Sequence, residues 1–183
     1  ASELDDKIAW YENDGLGNFG TQQIISILAD GAKSVFAADL DNDGDYDVLS
    51  ASFNDNKIAW YENDGLGNFG NQKIISVLAG GATSVYAANI DGDTDLEVLS
   101  ASFNDNKIAW YQNDGLGNFG EQLIISTLVN GAQSVYTSDL DGDRDLDIIS
   151  ASFNDHKIAW YKNTAFPLLS TNPVGNAINI DMD

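Results

Sequence analysis

The sequence predicts an all-β chain of propeller type, built from four-stranded blades and incomplete in one chain, with about three to four blades. Three observations carry this. The 183 residues repeat at a period of 50: "KIAWYENDGLGNFG" starts at Lys7 and Lys57, "KIAWYQNDGLGNFG" at Lys107 and "KIAWYKN" at Lys157. Each repeat holds four short runs rich in β-branched and aromatic residues, bounded by turn residues. No segment shows apolar spacing at 3.6 over ten or more residues, so no helix is expected. A period near 50 lies in the range of propeller blades, and radial repetition suits it better than a two-sheet sandwich.

The first unit shows the elements in order. "KIAWYEN" (7–13) reads as a strand whose alternation puts Ile8 and Trp10 on one face and Ala9 and Tyr11 on the other. "NDGLGNFG" follows as a turn. Its "GLGNFG" matches the dinucleotide pattern G-x-G-x-x-G, but a strand-like "TQQIISI" (21–27) stands where that pattern needs a helix, so these glycines are read as turn residues. "LADG" leads to the strand "SVFAADL" (34–40), the acidic turn "DNDGD" leads to "YDVLSAS" (46–52), and "FNDN" closes the repeat. Full units span 1–50, 51–100 and 101–150, and a partial one spans 151–163. The repeat region is therefore 1–163, and the divergent tail 164–183 holds both prolines, Pro167 and Pro173. His156 stands where other units carry Asp6, Asn56 and Asn106, which marks it as a turn substitution.

Composition excludes several partners. Hydrophobic content of 43% and aromatic content of 10% argue for a packed core despite a net charge of −21. Eight Lys and Arg against 29 Asp and Glu leave no basic surface for nucleic acid or an anionic membrane. No apolar run approaches the ~20 residues of a membrane span, and "ASELDDKIAW" lacks the layout of a secretory leader. With no cysteine, neither disulfides nor thiolate metal sites are available.

"DLDNDGDYD" (39–47) sets an aspartate at every second position, and "NIDGDTDLE" (89–97) and "DLDGDRDLD" (139–147) recur in the same place. Like charges at ~4 Å repel by about 1 kcal/mol in water and about 4 at an effective dielectric of 20. A charged, exposed strand edge would account for such alternation. The spacing D-x-D-x-D-G-x-x-D instead offers oxygens from positions 1, 3, 5 and 9 and a backbone carbonyl at 7, which suits calcium better than the stricter octahedral magnesium. Position 12 is Ser50, Ser100 or Ser150 and the flanks are strands, so the loop is no EF-hand.

The acidic loop, the Phe-Gly pairs Phe19-Gly20, Phe69-Gly70 and Phe119-Gly120, and the Gly-Ala pairs Gly31-Ala32, Gly81-Ala82 and Gly131-Ala132 together resemble the FG-GAP/VCBS repeat. That repeat is the blade of integrin-α-type propellers and of many secreted bacterial proteins. The family's next residue, proline, is replaced by Lys33, Thr83 and Gln133. The resemblance implies a calcium ion held by Asp39, Asp41, Asp43, Asp45 (through its carbonyl) and Asp47 in the first loop. In the third it implies Asp139, Asp141, Asp143, Asp145 and Asp147, with Arg144 in place of the turn glycine. The second loop would use Asn89, Asp91, Asp93, Asp95 and Glu97, and its lower charge and a strained turn at Thr94 predict weaker binding. Asn179, Asp181 and Asp183 repeat the spacing of a loop's first half.

In the family's phase the chain starts with two outer strands, holds full blades over 34–76 and 84–126, and ends with three strands and a tail. The tail is expected to complete a blade, or the ring to close between copies as a homo-oligomer or within a longer protein. A lone histidine, no cysteine and no acid pair outside the loops argue against an enzyme. The expected function is a non-catalytic, calcium-stabilised extracellular module for binding, adhesion or scaffolding, toward a protein or glycan ligand. The alternatives are a lectin stacking sugars on Trp10, Trp60, Trp110 and Trp160, and a self-assembling structural subunit.

Overall fold

β-Branched and aromatic runs become strands because their side chains pack well on a pleated surface, and the Asn, Asp and Gly clusters become the turns between them. The computed structural model describes residues 1–164 and the backbone of 177–180. Two strands, β1 (Ile8–Trp10) and β2 (Gln23–Ser26), form an antiparallel pair at the start. A first blade follows from β3 (Ala32–Ala38), β4 (Asp47–Ser52), β5 (Lys57–Tyr61) and β6 (Lys73–Ser76). The second is β7 (Ala82–Ala88), β8 (Glu97–Ser102), β9 (Lys107–Tyr111) and β10 (Leu123–Ser126). The third contains β11 (Ala132–Ser138), β12 (Asp147–Ser152), β13 (Lys157–Tyr161) and β14 (Ala177–Ile180). All are antiparallel meanders, and the two full blades expected over 34–76 and 84–126 run over 32–76 and 82–126.

β14 pairs with β13 from Ile158↔Ile180 to Tyr161↔Ala177, in the outer place that β6 and β10 take in the sheets before it. The half-loop read in Asn179, Asp181 and Asp183 lies outside the described residues, apart from the backbone of Asn179 in β14. Among the described residues no helix is long and apolar enough to cross a membrane.

The core lies between successive sheets. Ile8, Ala29, Ala32 and Tyr61 join the opening pair to the first blade. Leu49, Ile58 and Trp60 meet Val85, Val98 and Tyr111 between the first and second. Leu99 and Ile108 meet Val135, Ile148 and Tyr161 between the second and third. The second blade is covered on both faces, and so all six residues of β8 are buried, without the in–out alternation of a one-faced sheet. Each fully buried large side chain contributes about 1.5–3 kcal/mol.

The inner strands β3, β7 and β11 lie side by side. Their equivalent rings form a column, with Phe36–Tyr86 centroids 4.5 Å apart and Tyr86–Tyr136 centroids 4.7 Å apart. Val85 N–H donates to Ser34 Oγ at 3.3 Å, and Val135 N–H donates to Ser84 Oγ at 3.4 Å. At the outer turns, tryptophan keys onto the next unit's glycine. A Cβ at Gly67 would stand 2.8 Å from Trp10 Cζ2, and one at Gly117 would stand 2.5 Å from Trp60 Cζ2. Only a residue without a side chain admits the indole there.

Asp6, Asn56, Asn106 and His156 all adopt left-handed backbone, with φ of 58°, 59°, 58° and 56°. The first three also accept the N–H of Gly31, Gly81 and Gly131. His156 is thus a turn residue, as its column suggests.

Candidate metal centres

Each acidic loop joins the innermost strand of a blade to the next: β3 to β4, β7 to β8, β11 to β12. The last acid of each loop opens the second strand and is fully buried: Asp47, Glu97 and Asp147 are all 0% exposed. Asp47 accepts the Leu40 N–H at 3.0 Å and the Asn63 N–H at 2.9 Å, and Asp147 accepts Leu140 N–H at 3.1 Å and Asn163 N–H at 2.8 Å. Glu97 accepts only the Ile90 N–H, at 3.0 Å on Oε2, and its buried Oε1 has no partner. Burial raises Asp47 to about 6 and Glu97 to about 7, with neighbouring loop aspartates adding to the rise in both.

Three acids converge in each loop, with one oxygen apiece mutually within 4.8 Å: Asp39, Asp41 and Asp43; Asp91, Asp93 and Glu97; Asp139, Asp141 and Asp147. These clusters can hold a metal ion. Asp41 and Asp91 are both pushed up, first by burial, and repulsion from Asp43 and Asp93 adds to it. In the first loop Asp39 Oδ1 and Asp41 Oδ1 are also buried without partners. Orphaned oxygens of this kind, turned toward one another, fit an oxygen-seeking divalent cation.

The remaining candidates are placed differently. Asp47 and Asp143 lie outside their loops' triads, as do Asp45, Asp95 and Asp145. Asp45 Oδ2 would stand 2.4 Å from a Cβ at Gly65, and Asp95 Oδ1 accepts Asn42 Nδ2 of the first loop at 2.8 Å. Their side chains point to neighbouring turns, which leaves the backbone carbonyl as the group they could offer a loop ion. Asn89 Oδ1 accepts the Gly92 N–H at 2.8 Å while its Nδ2 donates to the Asp93 carbonyl. The strain expected at Thr94 is absent: the first loop is left-handed at Asn42 (φ 60°) and Gly44 (φ 96°) and the third at Gly142 (φ 80°) and Arg144 (φ 80°), whereas the second is left-handed at Gly92 (φ 81°) and not at Thr94.

Two groups of residues were not legible as partners of the loops. Asn113 Nδ2 donates to Leu40 O at 2.7 Å and to Leu96 O at 3.1 Å, bridging the loops of two blades, and Asn163 reaches Ile90 O at 2.6 Å. Lys162 forms ion pairs with Asp141 and, at 3.2 Å, with Asp143. Both carboxylates strengthen the ammonium's hold on its proton, and Asp143 is lowered first by the Asp145 N–H and then by Lys162. The signal was a column in the repeat, Glu12, Glu62, Gln112 and Lys162, that changes charge inside an otherwise repeated motif.

Trp10 and Trp60 pack against the glycine turns of the next unit. Trp60 is 2% exposed and edge-on to Phe119 at 6.3 Å. Comparison with curated proteins gives no match. The family model for the FG-GAP-like repeat matches three times, over residues 1–50, 39–100 and 90–150. The second and third matches each start in an acidic loop and run past the next one, so each spans parts of two neighbouring sheets. With propeller-like antiparallel blades, acid clusters at the same turn of each and the repeat model spanning most of its length, the chain belongs to the FG-GAP-like repeat family.

Proposed function

We propose that the chain is a non-catalytic, calcium-stiffened propeller module of an extracellular protein, used for binding or adhesion. The observation that carries this reading is Glu97. A 0% exposed carboxylate with one unpartnered oxygen, grouped within 4.8 Å of carboxylate oxygens of Asp91 and Asp93, needs a cation to be stable in its charged form. Calcium fits the all-oxygen donor set, and modules of this type fill at ~0.1–1 mM, a level found outside cells. In a chain without cysteine, the ion would tie the first two strands of a blade together where a disulfide does so elsewhere.

Further blades, from a second copy or a longer chain, are proposed to cover the two ends of the arc. Phe19 is 68% exposed although Phe69 and Phe119 are packed, and Leu140 is 47% exposed where Leu40 is 1% and Ile90 8%.

Thermal unfolding in chelator, calcium and magnesium tests the reading. For a site with Kd ~0.1 mM, ~1 mM calcium stabilises by roughly 1.4 kcal/mol. A rise in Tm with calcium, unmatched by magnesium, is expected. Equal Tm values in all three would end the calcium reading, and the mass from light scattering would separate a monomer from an assembly.

A further inference from the structure

Resting on the calcium reading above, we propose that Lys162 is a built-in counter-cation of the third acidic loop, which leaves that loop independent of calcium while the first two take up the ion. The argument starts from the oxygens. In the third loop all eight carboxylate oxygens of Asp139, Asp141, Asp143 and Asp147 have a protein donor. Asp139 takes the N–H groups of Gly142 and Arg144, and Asp147 takes those of Leu140 and Asn163. Asp141 Oδ1 takes the Asp143 N–H and Asp143 Oδ1 takes the Asp145 N–H. Their two remaining oxygens, one on each, both face the Lys162 ammonium. In the first and second loops, Asp39 Oδ1, Asp41 Oδ1 and Glu97 Oε1 are buried with nothing bound to them.

The residue that makes the difference occupies one column of the repeat, directly after the strand tyrosine. Beside the first loop it is Glu62, a further carboxylate, itself paired with Lys73 at 2.6 Å. Beside the second it is the neutral Gln112, whose Nε2 lies 3.5 Å from Asp91 Oδ2. Beside the third it is Lys162. The charges follow the same order. The first loop carries five aspartates beside Glu62 and no cationic residue, and the third carries five aspartates against Arg144 and Lys162.

An ammonium brings one charge and three N–H donors, enough to bridge two carboxylates and offset one of their two charges at close range. Calcium needs six to eight oxygens, so it enters the third loop only by expelling Lys162 from Asp141 and Asp143. Its affinity there should be at least tenfold below that of the first loop. The blade with the tethered cation would keep its inner turn ordered when calcium is scarce.

Native mass spectrometry of the full chain, stripped with chelator and titrated with calcium chloride, counts the ions bound, and calorimetry gives their affinities. The wild type should bind two. Lys162→Gln should bind a third, lost again when Asp141→Asn is added. Glu62→Lys should lower the wild-type count by one, and circular dichroism confirms that each variant is folded. Three ions of similar affinity in the wild type, or an unchanged count in Lys162→Gln, would overturn the role of Lys162 and leave the calcium reading standing. No ion in either protein would overturn both.

Discussion

Replacing Glu97 by glutamine tests the cost of burying a charge in the second loop. The carboxylate is 0% exposed, and burial, with repulsion from Asp91 and Asp93, raises it from its ordinary 4.5 to about 7. At 1.36 kcal/mol per tenfold change in proton affinity, forcing it to ionise at pH 8 costs roughly 3 kcal/mol of folding free energy. Glutamine has nearly the same shape. Its oxygen keeps the Ile90 N–H, and its amide places a donor where Oε1 has no partner, beside the acidic cluster of Asp91 and Asp93. Its bond from Ile90 is neutral and weaker by about 1 kcal/mol, leaving a net gain of about 2 kcal/mol. In chelator at pH 8, Glu97→Gln should therefore melt ~4–8 °C above the wild type. Calcium should reverse the order, because the wild type regains its charge as a ligand and the variant does not. A variant that melts lower than the wild type in chelator would refute the reasoning.

Three further outcomes follow from the same geometry. Asp47 and Glu97 bind protons more tightly when folded, so the stability they confer is full below 3.8 and 4.5 and is lost as pH rises through about 6 and about 7. The chelator-treated chain should thus melt lower at pH 8 than at pH 5.5, and a flat or rising profile would count against buried carboxylates. Gly117→Ala sets a Cβ 2.5 Å from Trp60 Cζ2 at φ +72°, and should cost about 2–4 kcal/mol in denaturant unfolding. Gly15→Ala, at φ +78° with nothing within 4 Å, should cost only about 1 kcal/mol; equal losses would deny the tryptophan its keying role. Asn113→Ala removes donors from Leu40 O and Leu96 O, and a drop of about 2 kcal/mol is expected; no change would show that the bridge between blades is idle.

The strands were readable because each is short, rich in β-branched residues and bounded by turn residues, and the repeat set their phase: β4 begins one residue inside "YDVLSAS" and ends with it. The convergence of Asp39, Asp41 and Asp43 also follows from local spacing. What was hidden is relational. Asn113 finds Leu40 across 73 positions, and Lys162 finds Asp141 across 21, because strands that are distant in sequence end at the same rim. Thr94 misled for a different reason. Gly44 and Arg144 are left-handed at the equivalent position, but the second loop turns with left-handed backbone at Gly92 alone, so Thr94 carries no such bend.

The contacts that join neighbouring blades repeat every 50 residues, and this makes the blades interchangeable parts. Trp10 would fit Gly117 as well as it fits Gly67, and Ser34 would accept the amide of Val135 as readily as that of Val85. A chain refolding from denaturant can therefore skip a blade and still bury most of its apolar surface, trapping it in a misregistered arc. Residues that break the repeat at the loops, among them Asn89, Glu97, Gln112 and Lys162, label one blade from another. During synthesis the first blade meets only the second, because the third does not yet exist. The direction of translation, more than the chemistry of any interface, then sorts the blades.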